Sequence, residues 1–125
     1  MIVGIGFDLT SLARVRSALE RFGERFLHRI LTPEELAALP SLEAAVTYTA
    51  GRFAAKEAAV KALGTGFSQG VFFQDVEILS LPSGRPELNF HGAALDAARK
   101  LGAVRWHVSI SHERDHAGAV VILES

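Results

Sequence analysis

Hydrophobic and polar positions alternate strictly at the start of the chain. The alternation over residues 2–9 predicts a β-strand with one apolar face and one face on which a carboxylate follows two glycines. Glycines at this spacing leave the backbone uncovered, so that another group can approach it closely beside the carboxylate. The apolar face comprises Val3, Ile5, Phe7 and Leu9, and the other comprises Gly4, Gly6 and Asp8.

After residue 10 the spacing between hydrophobic residues changes from two to three or four, which predicts an amphipathic helix. Thr10 or Ser11 is the expected N-cap, and Gly23 is a candidate break that would divide the helix into two. The predicted apolar stripe consists of Leu12, Val15, Leu19, Phe22, Phe26 and Ile30.

The segment LTPEEL at 31–36 predicts a short helix that begins with a capping box, because Glu35 follows Thr32 by three residues. The Ala-rich segment 41–63 predicts one long helix that ends at Gly64. Beyond it we expect a loop at 64–70, strands at 71–79 and 87–90, a helix at 93–101, and a hairpin of strands 104–111 and 117–123. This order predicts a single α+β domain over residues 1–125, with a mainly antiparallel sheet packed on the long helix.

Composition narrows the function classes. The 125 residues carry 13 Lys and Arg against 14 Asp and Glu, so the net charge of -1 favours neither nucleic acid nor an anionic membrane. The absence of cysteine excludes disulfides, a thiol nucleophile and thiolate metal sites. The first residues lack the pattern of a signal peptide, and no segment approaches about 18 apolar residues. We therefore expect a soluble, cytoplasmic protein.

Glu57 lies within an apolar stripe of the long helix, where an ionised carboxylate costs several kcal/mol unless it is paired or binds a cation. One explanation is an ion pair with Lys61, one turn later. Asp8 is equally ambiguous, since an aspartate at a strand end is often a turn residue or a cap. If Asp8 and Glu57 converge, a hard cation such as Mg²⁺ would relieve their repulsion, and both explanations stay open here.

The loop GTGFSQG at 64–70 follows the helix that carries Arg52, Lys56 and Lys61. It lacks the Walker pattern, and its simplest interpretation is a helix stop with a turn. The alternative is a phosphate contact, for which Lys61 is the best placed cation.

HVSISH at 107–112 places Ser109 and Ser111 beside His112. No G-x-S-x-G elbow accompanies them, which disfavours a serine hydrolase, and a zinc site at His112 and His116 is disfavoured because the two flank a turn. His112 is then either a turn residue or a contact to a phosphorylated ligand.

Four arginines of the first predicted helix fall within about 80° of one another: Arg14, Arg21, Arg25 and Arg29. They form either a solvated face of the helix or a strip on which an acidic partner docks.

Taken together, GIGFDL, RILTPEE, GRFAAKEAAVKALGTG, VSISHE and AGAVVIL resemble the holo-acyl-carrier-protein synthases, the small class of phosphopantetheinyl transferases. The resemblance runs essentially end to end. It implies an enzyme that moves the 4'-phosphopantetheine arm of coenzyme A onto a serine of apo-acyl carrier protein, releases adenosine 3',5'-bisphosphate and serves fatty-acid biosynthesis.

The resemblance also implies roles for individual residues. Asp8 and Glu57 would hold Mg²⁺, with Mn²⁺ also suited to oxygen ligands. Lys61 would contact the pyrophosphate, and Glu57 or a water molecule at the metal would deprotonate the serine. The remaining implied coenzyme A contacts are Arg52, Gly64, Thr65, Gly66, Ser111 and His112, and the implied carrier-docking residues are Arg14, Arg21 and Arg25.

Family members are commonly homotrimers with the site shared between subunits, which the resemblance extends to this chain. One departure is that no Lys or Arg lies between Arg29 and Arg52, where some relatives carry a basic pair that reaches the nucleotide 3'-phosphate. That contact to the 3'-phosphate would then be made by Arg52 and His112.

The sequence leaves open which carrier protein is preferred and whether acylated coenzyme A is tolerated. Competing functions are a non-enzymatic ligand-binding oligomer and a metal-independent, coenzyme A-dependent acyltransferase.

Overall fold

The computed structural model describes residues 1–125, with the side chains of residues 42 and 43 excepted. Its helices and strands follow the predicted order closely. They are β1 Ile2–Ser11, α1 Leu12–Phe22, α2 Glu24–Ile30, α3 Pro33–Ala37, α4 Leu42–Leu63, a 3-10 turn Phe73–Asp75, β2 Val76–Ser80, β3 Pro86–Phe90, α5 Gly92–Lys100, β4 Arg105–His112 and β5 His116–Glu124.

The strands form two antiparallel sheets. In the larger sheet β5 lies between β1 and β4, and the smaller sheet is the hairpin of β2 and β3. Helix α4 packs across one face of the larger sheet, which we call the inner face. The predicted α+β class, the antiparallel pairing and the long helix are therefore confirmed.

One predicted strand is partly wrong. Residues 71–79 were expected to be extended, but Phe73–Asp75 forms a 3-10 turn and β2 begins only at Val76. The Asp75 carboxylate accepts a hydrogen bond from the backbone N–H of Phe72 at 2.9 Å. Short polar side chains compete in this way with strand pairing for backbone donors, so the apolar pattern is overridden at this point.

The two glycines on the inner face of β1 admit the backbone of α4. A Cβ built on Gly6 would lie 1.8 Å from the carbonyl oxygen of Ala58, and one built on Gly4 would lie 2.4 Å from that of Ala62. The alanines of α4 on this side are fully buried, including Ala54 and Ala58. The approach allowed by the glycines is thus taken by a helix and not by a ligand, which corrects the expectation that these positions are open beside Asp8.

The β1 side of the outer face of the larger sheet is apolar and exposed in the single chain. Ile5, Phe7 and Leu9 of β1 are 61%, 57% and 62% exposed. On β4, Ser109 and Ser111 lie on the same side and border a depression of about 470 Å³ with Phe7 and Leu9. A contiguous apolar surface of this kind is typical of a protein interface.

The first helical region breaks where Gly23 was expected to divide it. Gly23 adopts φ 58°, which ends α1 at Phe22 and separates it from α2, which begins at Glu24. The four arginines therefore do not share one helix, and the expected 80° strip is wrong because it assumed a continuous helical phase. The break also leaves Phe22 48% exposed, although Leu12, Val15 and Ile30 of the same stripe are buried.

The predicted helix ends are confirmed. Ser11 caps α1 by accepting from the N–H of Arg14, and Thr32 and Glu35 form the reciprocal capping box of α3. Gly64 ends α4 in the left-handed conformation, with φ 78°. Among the helices that the structure describes, none combines the length and the apolarity needed to cross a bilayer.

Candidate active site

Asp8 lies on the inner face of β1, where the strand meets α4. Its Oδ1 is 3.0 Å from Nζ of Lys61, and its Oδ2 accepts from the hydroxyl of Thr10 at 3.0 Å. Lys61 also donates to the carbonyl oxygen of Phe7 at 3.0 Å. The close contact between β1 and α4 thus brings together two residues that are 53 positions apart in the chain.

Glu57 lies on α4 one turn before Lys61 and is half-buried. Burial raises the pKa of Glu57, the negative charge of Asp8 raises it further, and Lys61 opposes both effects. The ion pair of Glu57 with Lys61 that the spacing allowed is not formed among the described side chains, because Lys61 pairs with Asp8 instead. Lys61 therefore offsets the ionisation penalty of Glu57 only in part, because the pKa of Glu57 remains raised.

The donor set at this point suits a hard divalent cation. Two carboxylates share one partly buried place, and the charge of one raises the pKa of the other. Within the part of the chain that the structure describes, no group of three or more His, Cys, Asp or Glu side chains is placed to hold a metal ion. An ion at Asp8 and Glu57 would then take its other ligands from water and phosphate oxygens, which is the usual coordination of Mg²⁺.

The loop 64–70 continues directly from this turn of α4. The backbone N–H groups of Thr65 and Gly66 both donate to the carbonyl of Val60, at 3.2 and 3.3 Å, and so close the helix end. A Cβ built on Gly64 or Gly66 would meet no other atom within 4 Å. The glycines thus leave an open surface immediately beyond Lys61.

The other predicted ligand contacts lie elsewhere in the chain. The guanidinium of Arg52 stacks over the ring of Tyr48, 4.2 Å from its centroid, and Nη2 donates to Ser80 at 2.9 Å. Ser111 and His112 border the depression on the outer face of the sheet, whereas Asp8 faces α4 on the inner side. The structure therefore brings Asp8, Glu57, Lys61 and Gly64–Gly66 together, and leaves Arg52, Ser111 and His112 outside that group.

A groove leads from Asp8 along the junction of α1 and α2 with α4. Its narrow part, about 150 Å³, is lined by Asp8 and Arg14, and its wide part, about 410 Å³, is lined by Arg25. Arg21 stacks over the ring of Phe22, 5.2 Å from its centroid. The two parts of the groove share Ala18, Phe26 and Phe53.

The sequence interpretation missed a buried ion pair beside the site. Nζ of Lys56, which is fully buried, lies 2.8 Å from Oε1 of Glu35 and donates to the carbonyls of Phe73 and Val76. Oε2 of Glu35 accepts from the N–H of Ile78 at 2.9 Å. The capping box identified Glu35 as a helix-start residue, but no pattern indicated that it pairs with Lys56.

An aromatic stack also escaped the sequence interpretation. The ring of Phe73 lies 3.9 Å from that of Phe67 in the loop 64–70 and 5.7 Å from that of Phe53 on α4, measured between centroids. The three phenylalanines therefore connect the loop, the 3-10 turn and the wall of the groove.

Comparisons with known proteins agree with this arrangement. The family model of the 4'-phosphopantetheinyl transferase superfamily matches residues 4–121. A holo-acyl-carrier-protein synthase of Solidesulfovibrio magneticus is 63% identical over 124 residues, which is 99% of each chain. The crystal structure of the Neisseria meningitidis synthase superimposes with a TM-score of 0.89 at 44% identity, over 100% of both chains. That of the Helicobacter pylori synthase in complex with coenzyme A gives 0.84 at 32% identity, over 96% of this chain and 99% of that one.

Proposed function

The chain belongs to the holo-acyl-carrier-protein synthases of the 4'-phosphopantetheinyl transferase superfamily, and from that premise we propose the reaction that it catalyses. The serine hydroxyl of an apo-acyl carrier protein attacks the phosphorus that bears the pantetheine arm of coenzyme A. A new phosphate ester forms, the pyrophosphate bond breaks, and adenosine 3',5'-bisphosphate leaves. The observation that carries the proposal is the convergence of Asp8, Glu57 and Lys61 where β1 meets α4.

Asp8 and Glu57 are the residues that would hold the cation, Mg²⁺ or Mn²⁺. Such an ion, when bound, neutralises charge on the diphosphate oxygens. Lys61 supplies a second positive charge from its own half-exposed side chain, which is anchored to Asp8 and to the Phe7 carbonyl and can therefore donate to a phosphate oxygen with little reorganisation. The proton of the attacking serine passes to Glu57 or to a water molecule at the site.

The binding of coenzyme A is assigned to two surfaces. Gly64, Thr65 and Gly66 offer an open surface next to Lys61, suited to the diphosphate. Arg52 and His112 are the cationic candidates for the 3'-phosphate, because no Lys or Arg lies between Arg29 and Arg52. His112 borders the outer face of the sheet, whereas Lys61 lies with Asp8 on the inner side, so these two residues can contact one coenzyme A molecule where two copies of the chain meet.

We therefore propose a homotrimer with the site at the subunit interface. The exposed apolar outer face of the sheet provides the surface, and its depression contains Ser111 and His112. Sedimentation equilibrium should give a mass of three chains. Phe7→Glu, at the centre of that face, should yield monomers that are folded and inactive, and an active monomer would contradict the shared site.

The carrier protein is proposed to dock along the groove that leads to Asp8. Arg14 and Arg25 line it and Arg21 lies beside it, so an acidic surface finds positive charge around an apolar floor. Arg14→Glu should raise KM for the carrier more than KM for coenzyme A, because the charge faces the carrier. An unchanged KM for the carrier would exclude this docking surface.

The first test is intact-protein mass spectrometry of an apo-acyl carrier protein incubated with this protein, coenzyme A and Mg²⁺. We expect the mass of one phosphopantetheine to be added to the carrier, and the gain to disappear with a chelator. Binding of coenzyme A without transfer would favour a ligand-binding oligomer, and chelator-insensitive modification would favour an acyltransferase. We place the reaction in the cytoplasm, in the service of fatty-acid biosynthesis.

A further inference from the structure

The C-terminal end of α2 has two carbonyl groups that the helix itself cannot satisfy. In a continuing helix the carbonyl of His28 would accept from the N–H of Thr32, and that of Arg29 from residue 33. The N–H of Thr32 instead donates to Glu35 at 2.8 Å as part of the capping box, and residue 33 is a proline without an N–H. The tight connection from α2 to α3 therefore leaves both carbonyls without a backbone donor.

The side chain of Gln74 forms hydrogen bonds with both of these carbonyl groups. Its Nε2 donates to the carbonyl of His28 and to that of Arg29, each at 2.8 Å. An amide nitrogen has two hydrogens, so one side chain satisfies both acceptors. This contact spans more than 40 residues and joins the 3-10 turn to the helix that carries Arg25 and Phe26.

The 3-10 turn that presents Gln74 is itself firmly held. Buried Lys56 donates to the carbonyl of Phe73 at 2.9 Å and to that of Val76, on either side of Gln74. The backbone N–H of His91 donates to the carbonyl of Asp75 at 2.8 Å. Lys56 directly precedes Glu57 on α4, so the turn is fixed relative to the turn of α4 that carries the proposed catalytic residues.

We propose that Gln74 is a positioning residue, which holds the end of α2 at the distance and angle from α4 that a docked carrier protein requires. Phe26 of α2 and Phe53 of α4 line both parts of the groove that leads to Asp8, so a shift of α2 changes the width of the groove directly. Gln74 contacts none of the predicted reacting groups, so we expect its substitution to act mainly on carrier recognition. This inference rests on the proposed function.

The test is Gln74→Met, which keeps the length of the side chain and removes both donors, with Glu87→Met at an exposed position of β3 as the control. KM for the apo-carrier should rise about fivefold, a factor that corresponds to a small loss of docking free energy when the end of α2 is no longer held. KM for coenzyme A and kcat should change by less than about twofold. Gln74→Glu, which can only accept, should give the same pattern and serves as a second variant if Gln74→Met does not fold.

An unchanged KM for the carrier in either folded variant would overturn the inference. A parallel rise of both KM values with a lower unfolding temperature would also overturn it, because that pattern indicates general loosening. The wild-type protein is assayed in parallel, so the two proposals fail separately. If the wild type transfers nothing, the proposed function fails and the role of Gln74 falls with it. If the wild type transfers and Gln74→Met matches it, only the inference fails.

Discussion

Helix α4 carries two lysines five positions apart that have opposite environments. Lys56 is fully buried and donates to Glu35 and to two backbone carbonyls. Lys61 has a side chain that is 52% exposed and is paired with Asp8 at the edge of an open surface. A buried, fully bonded ammonium stabilises the packing around it, whereas an exposed one beside a carboxylate remains available to a ligand.

The carboxylates near the two lysines, Glu35 beside Lys56 and Glu57 beside Lys61, differ in the same way. Glu35 accepts from the N–H of Thr32, the ammonium of Lys56 and the N–H of Ile78, so its charge is satisfied inside the protein. Glu57 has a raised pKa through burial and the neighbouring charge of Asp8. Glu57 has no ion-pair partner among the described side chains, and its charge is stable only where something else supplies positive charge. For this reason the surroundings of Lys61 and Glu57, not those of Lys56 and Glu35, are the candidate active site.

The largest expected effect is the loss of activity in Asp8→Asn and in Glu57→Gln. Each variant removes one negative oxygen donor from the proposed cation site while keeping the shape of the side chain, so transfer should fall by about a thousandfold or more. Mass spectrometry of the carrier measures it, and circular dichroism checks the fold. Asp96→Asn on α5 is the matched control. Full activity in either site variant would remove the cation site.

Lys56→Met should act on stability. It leaves Glu35 as an uncompensated buried charge, and the free energy of unfolding should fall by about 3–5 kcal/mol. Adding Glu35→Gln to this variant should recover part of the loss, because the glutamine keeps an acceptor for the backbone N–H groups without the charge. Urea denaturation of both single variants and of the double variant measures the coupling. Strictly additive effects would contradict the described pairing.

Lys61→Met should show the reverse pattern. The pair with Asp8 is half-exposed on the lysine side and contributes only about 0.2–1 kcal/mol to stability, so the unfolding temperature should scarcely change. The value of kcat/KM for coenzyme A should fall by about 100-fold, since a donor to the diphosphate is lost. Lys100→Met, an exposed position in the last turn of α5, is the control. A strongly destabilised Lys61→Met with normal kcat/KM would reverse the comparison between the two lysines.

The smallest expected effect concerns pH. The raised pKa of Glu57 means that the folded state binds more protons than the unfolded state between the ordinary and the raised pKa. Glu57 therefore lowers stability as pH rises through that interval. In metal-free protein, Glu57→Gln should unfold at a slightly higher temperature than wild type near pH 7, and the difference should vanish towards about pH 4. Thermal scans across this range would contradict the account if the variant were less stable at neutral pH.

Local signals in the sequence were sufficient for most of the fold. The alternation in β1, the capping box of Thr32 and Glu35, and the stop at Gly64 each depend on neighbours within a few residues, and all three are confirmed. The strand predicted over 71–79 was partly wrong, since a side-chain contact of Asp75 overrides the apolar pattern. The single strip of arginines was wrong because one glycine resets the helical phase at residue 23.

The sequence by itself determined most of the secondary structure and, through the family resemblance, the candidate residues Asp8, Glu57 and Lys61. Only the tertiary structure decided which lysine pairs with which acid. Lys61 meets Asp8 because Gly4 and Gly6 let α4 lie directly on β1, and Lys56 meets Glu35 because α3 packs beside the start of β2. Pairing energies between charges depend on distance and burial across separate elements, and a linear pattern carries neither quantity.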